Sequence, residues 1–247
     1  MNGMIFAAGL GTRLAPLTDS KPKALVSVGG ETMLANAVRD MARAGISDIV
    51  VNVHSFADMM CSYIEDNKSR WSELGCTLVV SDERECLLDT GGGLAKALPL
   101  FATDEPVVVR NVDVFCNYPL AELFRQHIRS GAEATLLTDA SRTSSRNLVF
   151  DKSGSLSGWR NLKTGETKRV GSCEEVYSEP FNGIHVVSQS LVRALLPVRV
   201  VGLTDAYLAL ADKGHDIRRH PMDGHDFYWY DAGTVERVER IEKELRK

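Results

Sequence analysis

The sequence predicts an α/β domain with a mostly parallel sheet and helices on both faces, and three observations support this. Short apolar runs alternate with segments of helical periodicity through the first half of the chain, which favours right-handed crossovers between parallel strands. The 247 residues, 44% apolar and 25% charged, are enough to bury one large core. Glycines or acidic residues follow several apolar runs, as expected where ligands lie across strand ends. We expect one domain over residues 1–247.

The charge and cysteine content argue against several classes of protein. A net charge of −4 is unfavourable for binding a nucleic-acid duplex, which draws on a basic surface. The five cysteines are scattered without a Cys-x-x-Cys pair, which predicts neither a disulfide framework nor a zinc site. They are Cys61, Cys76, Cys86, Cys116 and Cys173. The apolar run at Met4 is too short for a leader or a membrane span. We expect a cytoplasmic protein with no membrane partner.

Residues 4–23 are the most informative stretch of the chain. An apolar run over residues 4–8 leads into Gly9-Leu10-Gly11-Thr12-Arg13, and Pro22-Lys23 follows. A strand that opens into a glycine-bearing loop exposes backbone amides to a polyanion, and the two cations suit phosphate oxygens. Leu14 stands where a dinucleotide fingerprint has its third glycine, and the Gly-Lys-Ser/Thr of a P-loop is absent from the sequence. The two cations and the open amides suit a site for a triphosphate, but a lone Gly-x-Gly beside an arginine is more often an ordinary turn, which is the alternative.

Helical and strand patterns then alternate as the fold requires. Residues 34–42 have helical spacing that ends at Gly45, and residues 49–53 form an apolar strand pattern. Ser55 and Asp58 are spaced like a capping box for a helix that carries Ile64 on its apolar face. A third strand is predicted over residues 77–80.

Three consecutive glycines follow the third predicted strand. The string is Asp89-Thr90-Gly91-Gly92-Gly93, and the short helical stretch after it stops at Pro99. Because glycine runs cost backbone entropy, this one indicates that a flat group or another backbone approaches closely. A flexible loop is the alternative.

The fourth predicted strand, residues 107–109, delivers Asp113 to the edge of the sheet. A carboxylate there is costly to bury unpaired, and Mg²⁺ takes such oxygens together with phosphates and water. A turn or cap residue is the alternative. A helix that begins at Pro119 and is closed by Gly131 follows, and then a strand over residues 134–137.

The sequence changes in character over residues 139–180. Short strand patterns alternate there with Ser, Gly, Lys and Arg, which predicts a β-rich insertion within the single domain. Residues 181–187 return to an apolar strand pattern. Thr234 is the predicted N-cap of a final amphipathic helix with Val238 and Ile241 facing inward.

The string Ala7-Ala8-Gly9-Leu10-Gly11-Thr12-Arg13-Leu14-Ala15-Pro16-Leu17-Thr18, followed by Pro22-Lys23, resembles the signature of the nucleotidyltransferases that make nucleoside-diphosphate sugars. The resemblance covers the chain from Met4 to about Lys243. It implies a Rossmann-like three-layer α/β/α sandwich whose insertion covers the sugar end of the site.

The resemblance also implies roles for individual residues. Catalysis is expected of Arg13, Lys23 and Asp113, and binding of Mg²⁺ of Asp113 and Asp231. The residues expected to bind the nucleotide are Ala7, Ala8, Gly9, Gly11, Thr12, Arg13, Glu83, Thr90, Gly91 and Gly92. Those expected to contact the sugar are Asn111, Asn182 and Gly183.

The implied reaction is the Mg²⁺-dependent transfer of a nucleotidyl group from a nucleoside triphosphate, UTP or GTP, to a sugar 1-phosphate, with release of pyrophosphate. Such products serve nucleotide-sugar synthesis for the cell envelope. Two positions depart from the family pattern. Val112 replaces a usual glycine, and Ser178-Glu179-Pro180-Phe181 lacks the lysine of a Glu-Lys-Pro string that holds the sugar phosphate in many members. Lys163, Lys168 and Arg169 are the candidates to replace it.

Residues 88–100 are most similar to N-acetylmuramate-1-phosphate uridylyltransferases and to short members like mannose-1-phosphate guanylyltransferase. Two other functions stay open. A phosphocholine cytidylyltransferase shares the first motif, but the insertion has few aromatic residues for an ammonium cage. A non-catalytic, nucleotide-sensing regulatory subunit would explain Val112 and the missing lysine. We expect a monomer or a small homo-oligomer.

Overall fold

A computed structural model of the chain describes residues 1–171, 175–224 and 226–245. The helices are α1 (Met33–Arg43), α2 (Ala57–Asp66), α3 (Lys68–Glu73), α4 (Asp89–Ala97), α5 (Leu120–Ser130), α6 (Gln189–Arg193), α7 (Leu203–Asp212) and α8 (Val235–Leu245). The strands are β1 (Asn2–Phe6), β2 (Ser27–Val28), β3 (Glu31–Thr32), β4 (Asp48–Val53), β5 (Thr77–Asp82), β6 (Val107–Asn111), β7 (Val114–Cys116), β8 (Ala134–Thr138), β9 (Arg146–Phe150), β10 (Leu156–Asn161), β11 (Thr167–Arg169), β12 (Tyr177–Glu179), β13 (Phe181–Val187), β14 (Ile217–Pro221) and β15 (Trp229–Asp231). Short 3-10 turns cover Thr12–Leu14, Lys23–Leu25 and Leu98–Leu100.

A seven-stranded sheet in the order β14-β8-β13-β6-β1-β4-β5 forms the centre of the domain. Of these described strands, β13 is antiparallel to both its neighbours, and the remaining pairs are parallel. The register aligns three strand ends, because Phe6 lies opposite both Asn52 of β4 and Asn111 of β6. The predicted mostly parallel sheet is confirmed, and the segments after β1, β4 and β6 leave it at one edge.

Helices cover both faces of this sheet because the side chains of each strand alternate between two apolar layers. Ile5 packs in one core with residues of α1, α2, α5 and α8, and Met4 packs in the other with residues of α4, α6 and α7. Leu34, Val38 and Met41 form the fully buried stripe of α1. Burying each such side chain stabilises the fold by about 1.5–3 kcal/mol. The predicted three-layer arrangement is confirmed.

Residues of the predicted insertion form a second, smaller sheet. Its four antiparallel strands have the order β11-β10-β9-β12. Phe150 of β9 and Leu156 of β10 are buried in the same core as α7. The small sheet therefore packs on the main domain through apolar side chains.

The local signals for the ends of helices agree with the structure at some positions and disagree at others. Gly131 follows α5 with φ of +67°, as predicted for a helix stop. The capping box predicted at Ser55 is wrong, because Phe56 precedes α2 with φ of +53° and makes no side-chain cap. The sequence patterns also do not reveal α3, α7 or β14, which are short or lack a clear period.

Cys61, Cys76, Cys86 and Cys116 are free thiols, and Cys173 lies outside the described residues. Within the described ranges, no helix combines the length and the apolarity needed to cross a bilayer.

Candidate active site

The loop after β1 is folded by its own short turn. Gly11 has φ of +68°, in the left-handed region that favours glycine, and caps the turn Thr12–Leu14. Its carbonyl oxygen accepts hydrogen bonds from the amide of Leu14 at 2.8 Å and the hydroxyl of Thr18 at 2.9 Å. Leu14 is fully buried, whereas Arg13 is exposed. The turn is thus anchored by one apolar side chain and presents its cation at the sheet edge.

The amides of Ala7 and Ala8 are engaged inside the protein, and the nucleotide contact expected of these two residues stays a prediction. Both donate to Oδ1 of Asn52, at 2.7 and 3.3 Å, and Asn52 is buried beneath the loop. Gly9 by contrast lies in open space, since a Cβ added there would meet no atom within 4 Å. The part of the loop that is open to a ligand therefore begins at Gly9.

Glu83 lies beneath the same loop and is 1% exposed. One carboxylate oxygen accepts a hydrogen bond from Nδ2 of Asn52 at 2.8 Å, and the other accepts one from the amide of Leu88 at 3.0 Å. Through these two bonds Glu83 positions the segment after β5, and the nucleotide contact expected of it stays a prediction. Asn52 joins that segment to the loop after β1.

Two aspartates that are far apart in the sequence have adjacent backbones at this edge. Asp113 precedes β7 and Asp231 ends β15, and these strands pair antiparallel with Asp231 opposite Val114. The amide of Ala232 donates to the carbonyl oxygen of Asp113 at 2.8 Å. The β7–β15 ribbon therefore fixes the two residues as neighbours.

Asp113 is paired with a cation from the first motif. Nζ of Lys23 forms an ion pair with Oδ2 of Asp113, and the two side chains are 13% and 15% exposed. Lys23 also packs against the loop after β1, because a Cβ on Gly11 would lie 3.1 Å from Cβ of Lys23. The close contact requires glycine at position 11 and brings the lysine to the strand end.

Asp231 is held by the residues that follow it. Its Oδ1 accepts a hydrogen bond from the amide of Gly233 at 2.7 Å, and its Oδ2 pairs with Arg237 of α8. Nη2 of Arg13 lies 3.1 Å from the position of a Cβ on Gly233. Arg13 therefore reaches the turn that carries Asp231, and the predicted set Arg13, Lys23, Asp113 and Asp231 is gathered at one edge.

The chemistry of the carboxylates at this edge shows whether they suit Mg²⁺. In the described part of the chain, no three His, Cys, Asp or Glu side chains are grouped to hold a metal. Asp113 and Asp231, 15% and 23% exposed, instead offer two carboxylates. Mg²⁺ is commonly bound by one or two carboxylates that it shares with substrate phosphates and water. These residues fit Mg²⁺ in that manner.

The glycines at 91–93 belong to α4 and meet the protein's own chain. A Cβ on Gly92 would lie 2.1 Å from the carbonyl oxygen of Arg199, and one on Gly91 would lie 2.9 Å from that of Val201. The amides of Gly91 and Gly92 both donate to the carbonyl oxygen of Val201, at 2.9 and 3.1 Å. The close approach of another backbone is one of the two predicted possibilities. The nucleotide contacts expected of Gly91 and Gly92 stay a prediction, since these two amides are engaged by Val201.

Thr90 also has partners within the protein. Its hydroxyl accepts a hydrogen bond from the amide of Leu203 at 2.9 Å, which caps the start of α7 from a distant segment. The same hydroxyl donates to Oδ1 of Asp89 at 3.1 Å. Thr90 thus caps a helix where the sequence suggested a nucleotide contact.

The three residues predicted to contact the sugar have different surroundings. Gly183 has φ of +72°, and a Cβ there would lie 2.7 Å from Nδ2 of Asn111, so these two residues are in contact. Asn182 is fully buried, and its side chain lies between Arg142 and Met222. A direct sugar contact by the Asn182 side chain is therefore incompatible with its burial.

A cavity of about 930 Å³ opens beside Arg13 and Asp231. It lies between the loop after β1, the start of the insertion, β15 and α8. Five arginines and one aspartate are its charged lining residues: Arg13, Arg142, Arg146, Arg237, Arg240 and Asp231. Sequence reasoning missed Arg142 and Arg237. The signal for Arg142 was its place just after β8, since the carboxyl end of β8 lies at the same edge as that of β1.

The three candidates to replace the missing lysine are absent from this cavity's lining. Nζ of Lys168 pairs with Asp205 of α7 at 2.6 Å, and Nε of Arg169 pairs with Glu175 at 3.2 Å. Lys163 is exposed in the turn after β10. None of the three is placed to bind a ligand held by Arg13 and Asp231.

Comparison with known proteins identifies the family. The profile of the nucleotidyl transferase family matches residues 2–147, more than half of the chain. The chain belongs to the nucleotidyl transferase family. The resemblance seen in the first motif is confirmed.

Two curated relatives differ in the base that their names specify. Mannose-1-phosphate guanyltransferase of Yarrowia lipolytica is 38% identical over 237 residues, which cover 94% of this chain and 61% of the relative. N-acetylmuramate alpha-1-phosphate uridylyltransferase of Caulobacter vibrioides is 42% identical over 110 residues, 44% of each protein. The chain thus spans less than two thirds of the length of these relatives.

Solved structures share the fold. A putative glucose-1-phosphate thymidylyltransferase from Bacillus anthracis has a TM-score of 0.80 at 18% identity, covering 100% of this chain and 96% of that one. A UDP-glucose pyrophosphorylase from Acinetobacter baumanii has a TM-score of 0.76 at 18% identity, covering 98% and 92%. The predicted Rossmann-like sandwich is confirmed by these matches.

Proposed function

We propose that this protein transfers a nucleotidyl group from a nucleoside triphosphate to a sugar 1-phosphate and releases pyrophosphate. The observation that carries the proposal is the convergence of Arg13, Lys23, Asp113 and Asp231 at one sheet edge. Two carboxylates beside two cations suit a reaction in which highly charged phosphates are brought together.

In the proposed reaction, an oxygen of the sugar phosphate attacks the α-phosphorus of the triphosphate in line, and the bond to the β-phosphate oxygen breaks. The attacking oxygen is already anionic at neutral pH, so the protein need not supply a general base. Mg²⁺ held by Asp113 and Asp231 would neutralise phosphate charge. The protein side chains contribute mainly by positioning and charge stabilisation.

Each cation has a distinct task in this proposal. Arg13 is exposed at the turn of the first loop, close in sequence to the open space at Gly9, and binds the departing pyrophosphate. Lys23 stands at Asp113 and stabilises the α-phosphate as charge develops. Its ion pair with Asp113 orients the lysine before substrate binds.

The names of the relatives suggest which nucleotide base and which sugar to test first. The names of the Yarrowia and Caulobacter proteins specify guanylyl and uridylyl transfer. We therefore propose UTP or GTP as the donor. Mannose 1-phosphate and N-acetylmuramate 1-phosphate are the first acceptors to test.

Release of pyrophosphate tests the proposal directly. Purified protein is assayed with Mg²⁺, the four nucleoside triphosphates and a panel of sugar 1-phosphates, and one pair should give turnover. Asp113→Asn and Lys23→Ala should each slow the best reaction about a hundredfold, because each loses about 3 kcal/mol of transition-state stabilisation.

Two exposed residues give matched controls. Asp104 is 95% exposed and Lys68 is 75% exposed, and both form ion pairs at the surface. Asp104→Asn and Lys68→Ala should leave the rate unchanged. Wild-type protein that releases no pyrophosphate with any pair, or an Asp113→Asn variant with nearly full activity, would refute the proposal.

A further inference from the structure

Arg142 is fixed in place by two other segments of the chain, β13 and β15. Its Nη2 donates to the carbonyl oxygen of Phe181 at 2.9 Å and to Oδ1 of Asn182 at 3.1 Å. Its guanidinium carbon lies 3.7 Å from the ring centre of Trp229. Nε1 of Trp229 in turn donates to the carbonyl oxygen of Asn182 at 2.8 Å. The planar group is thus oriented by stacking and by two hydrogen bonds before any ligand arrives.

The charge of Arg142 is not balanced by a carboxylate contact. None of the ion pairs found among the described residues includes it. Its Nε is buried without a hydrogen-bond partner in that part of the chain. Burial lowers the pKa of Arg142, and the more distant charges of Asp139 and Asp231 oppose this effect. Holding an unpaired cation in such a place is costly unless a ligand supplies the missing charge.

Arg142 differs in this respect from the other arginines of the cavity. Arg237 is neutralised by its ion pair with Asp231. Arg146 and Arg240 are exposed at the rim, where solvent screens their charge. Arg13 belongs to the first loop and is assigned above to pyrophosphate. Arg142 is therefore the preorganised cation on the opposite wall, next to the insertion.

We propose that Arg142 binds the phosphate group of the sugar 1-phosphate and so selects phosphorylated acceptors; this inference rests on the proposed function. Nη2 already donates to Phe181 and Asn182, so Nη1 with its two hydrogens is the group left to donate to phosphate oxygens, and a guanidinium fixed in advance loses little entropy on binding. Its bond to Phe181 also brings a positive charge beside the string Ser178-Glu179-Pro180-Phe181, which has none of its own.

The test separates the two substrates kinetically. In Arg142→Met the KM for the sugar 1-phosphate should rise about 10- to 100-fold, the loss expected for a charged hydrogen bond. The KM for the nucleoside triphosphate, and in the reverse direction that for pyrophosphate, should stay within about twofold. Arg142→Lys should recover part of the affinity, since it keeps the charge but loses the planar fork.

A matched control is Arg70→Met. Arg70 also lies over a tryptophan, 5.5 Å from the ring centre of Trp71, and pairs with Glu31 away from the cavity. Its substitution should leave both KM values unchanged. Titration calorimetry with the sugar 1-phosphate and with the unphosphorylated sugar adds a readout that does not require turnover. Arg142→Met should weaken binding of the first and leave binding of the second unchanged.

The outcomes distinguish this inference from the proposed function. A wild-type enzyme that releases no pyrophosphate with any substrate pair overturns both. An active wild type whose acceptor KM is unchanged in Arg142→Met, or whose triphosphate KM rises instead, overturns the role of Arg142 alone. If Arg142→Met does not fold, Arg142→Lys decides, and an unchanged acceptor KM in that folded variant likewise refutes the inference.

Discussion

Two glycine-bearing segments lie at the same edge of the central sheet, yet they serve different physical purposes. At Gly9 a Cβ would meet no atom within 4 Å, so the loop after β1 is open. At Gly92 a Cβ would lie 2.1 Å from the carbonyl oxygen of Arg199, so the start of α4 is closed by the chain itself. Both segments were predicted to bind the nucleotide through their backbone.

The difference shows that a glycine run indicates close approach without indicating what approaches. In the first loop glycine keeps space free, and the adjacent cation Arg13 is exposed to use it. In α4 glycine admits residues 199–201, and the carbonyl oxygen of Val201 accepts hydrogen bonds from the amides of both Gly91 and Gly92. Asn52 bonds directly to the loop after β1, and it reaches the second segment through Glu83, whose other carboxylate oxygen accepts from the amide of Leu88 just before α4.

The largest loss of stability is expected for Gly92→Ala. Alanine favours a helix over glycine by about 1 kcal/mol, but a Cβ 2.1 Å from a backbone oxygen forces the segment at Arg199 to move. We expect the clash to prevail and the free energy of unfolding to fall by about 3 kcal/mol or more. Urea unfolding followed by circular dichroism measures this. A stability equal to that of the wild type would mean that the contact with Arg199 is not made.

A smaller loss is expected for Asn52→Ala, which tests the link between the two segments. The change removes the acceptor for the amides of Ala7 and Ala8 and the donor to Glu83, all of which are buried. Unsatisfied buried groups are costly, and we expect a loss of about 2 kcal/mol. Asn36→Ala on α1 is the control, because Asn36 is only partly buried and bonds to loop carbonyls.

Hydrogen exchange locates the effect of Asn52→Ala. Amides of the loop after β1 and of α4 should both exchange faster than in the wild type, because one side chain holds the two segments. Faster exchange in one segment alone would show that Asn52 does not couple them.

The smallest effect on stability is expected for Gly9→Ala. With no atom near the added Cβ, the free energy of unfolding should change by less than about 0.5 kcal/mol. The KM for the nucleoside triphosphate should nevertheless rise about tenfold, because the methyl group occupies space that phosphate would use. Initial rates at varied triphosphate concentration measure this. An unchanged KM would show that Gly9 does not approach the triphosphate.

The residues whose place at the sheet edge was predictable are charged residues in segments that follow a strand. Asp113 follows β6 and Arg13 follows β1, and aligned parallel strands carry both to one edge. The pairing of Asp113 with Lys23 fits the same reasoning. A strand end and a side-chain type are local properties, so a single sequence contains them.

The surroundings that the sequence could not predict are those of groups whose partners come from distant segments. Thr90 caps α7 at Leu203, and Asn182 is buried against Arg142. Arg142 was overlooked because its surroundings come from β13 and β15, on two separate parts of the chain. No local pattern near these residues reports such partners.

The sequence by itself determined the layers of this fold, the alternation of its main strands and helices, and the charged residues that follow the strands. These follow from backbone periodicity and from the opposite directions in which successive side chains point. The tertiary structure alone decided which amides, hydroxyls and cations stay free for a ligand. Buried polar groups need hydrogen-bond partners, and in these cases the partner lies on whichever distant segment the fold places next to the group.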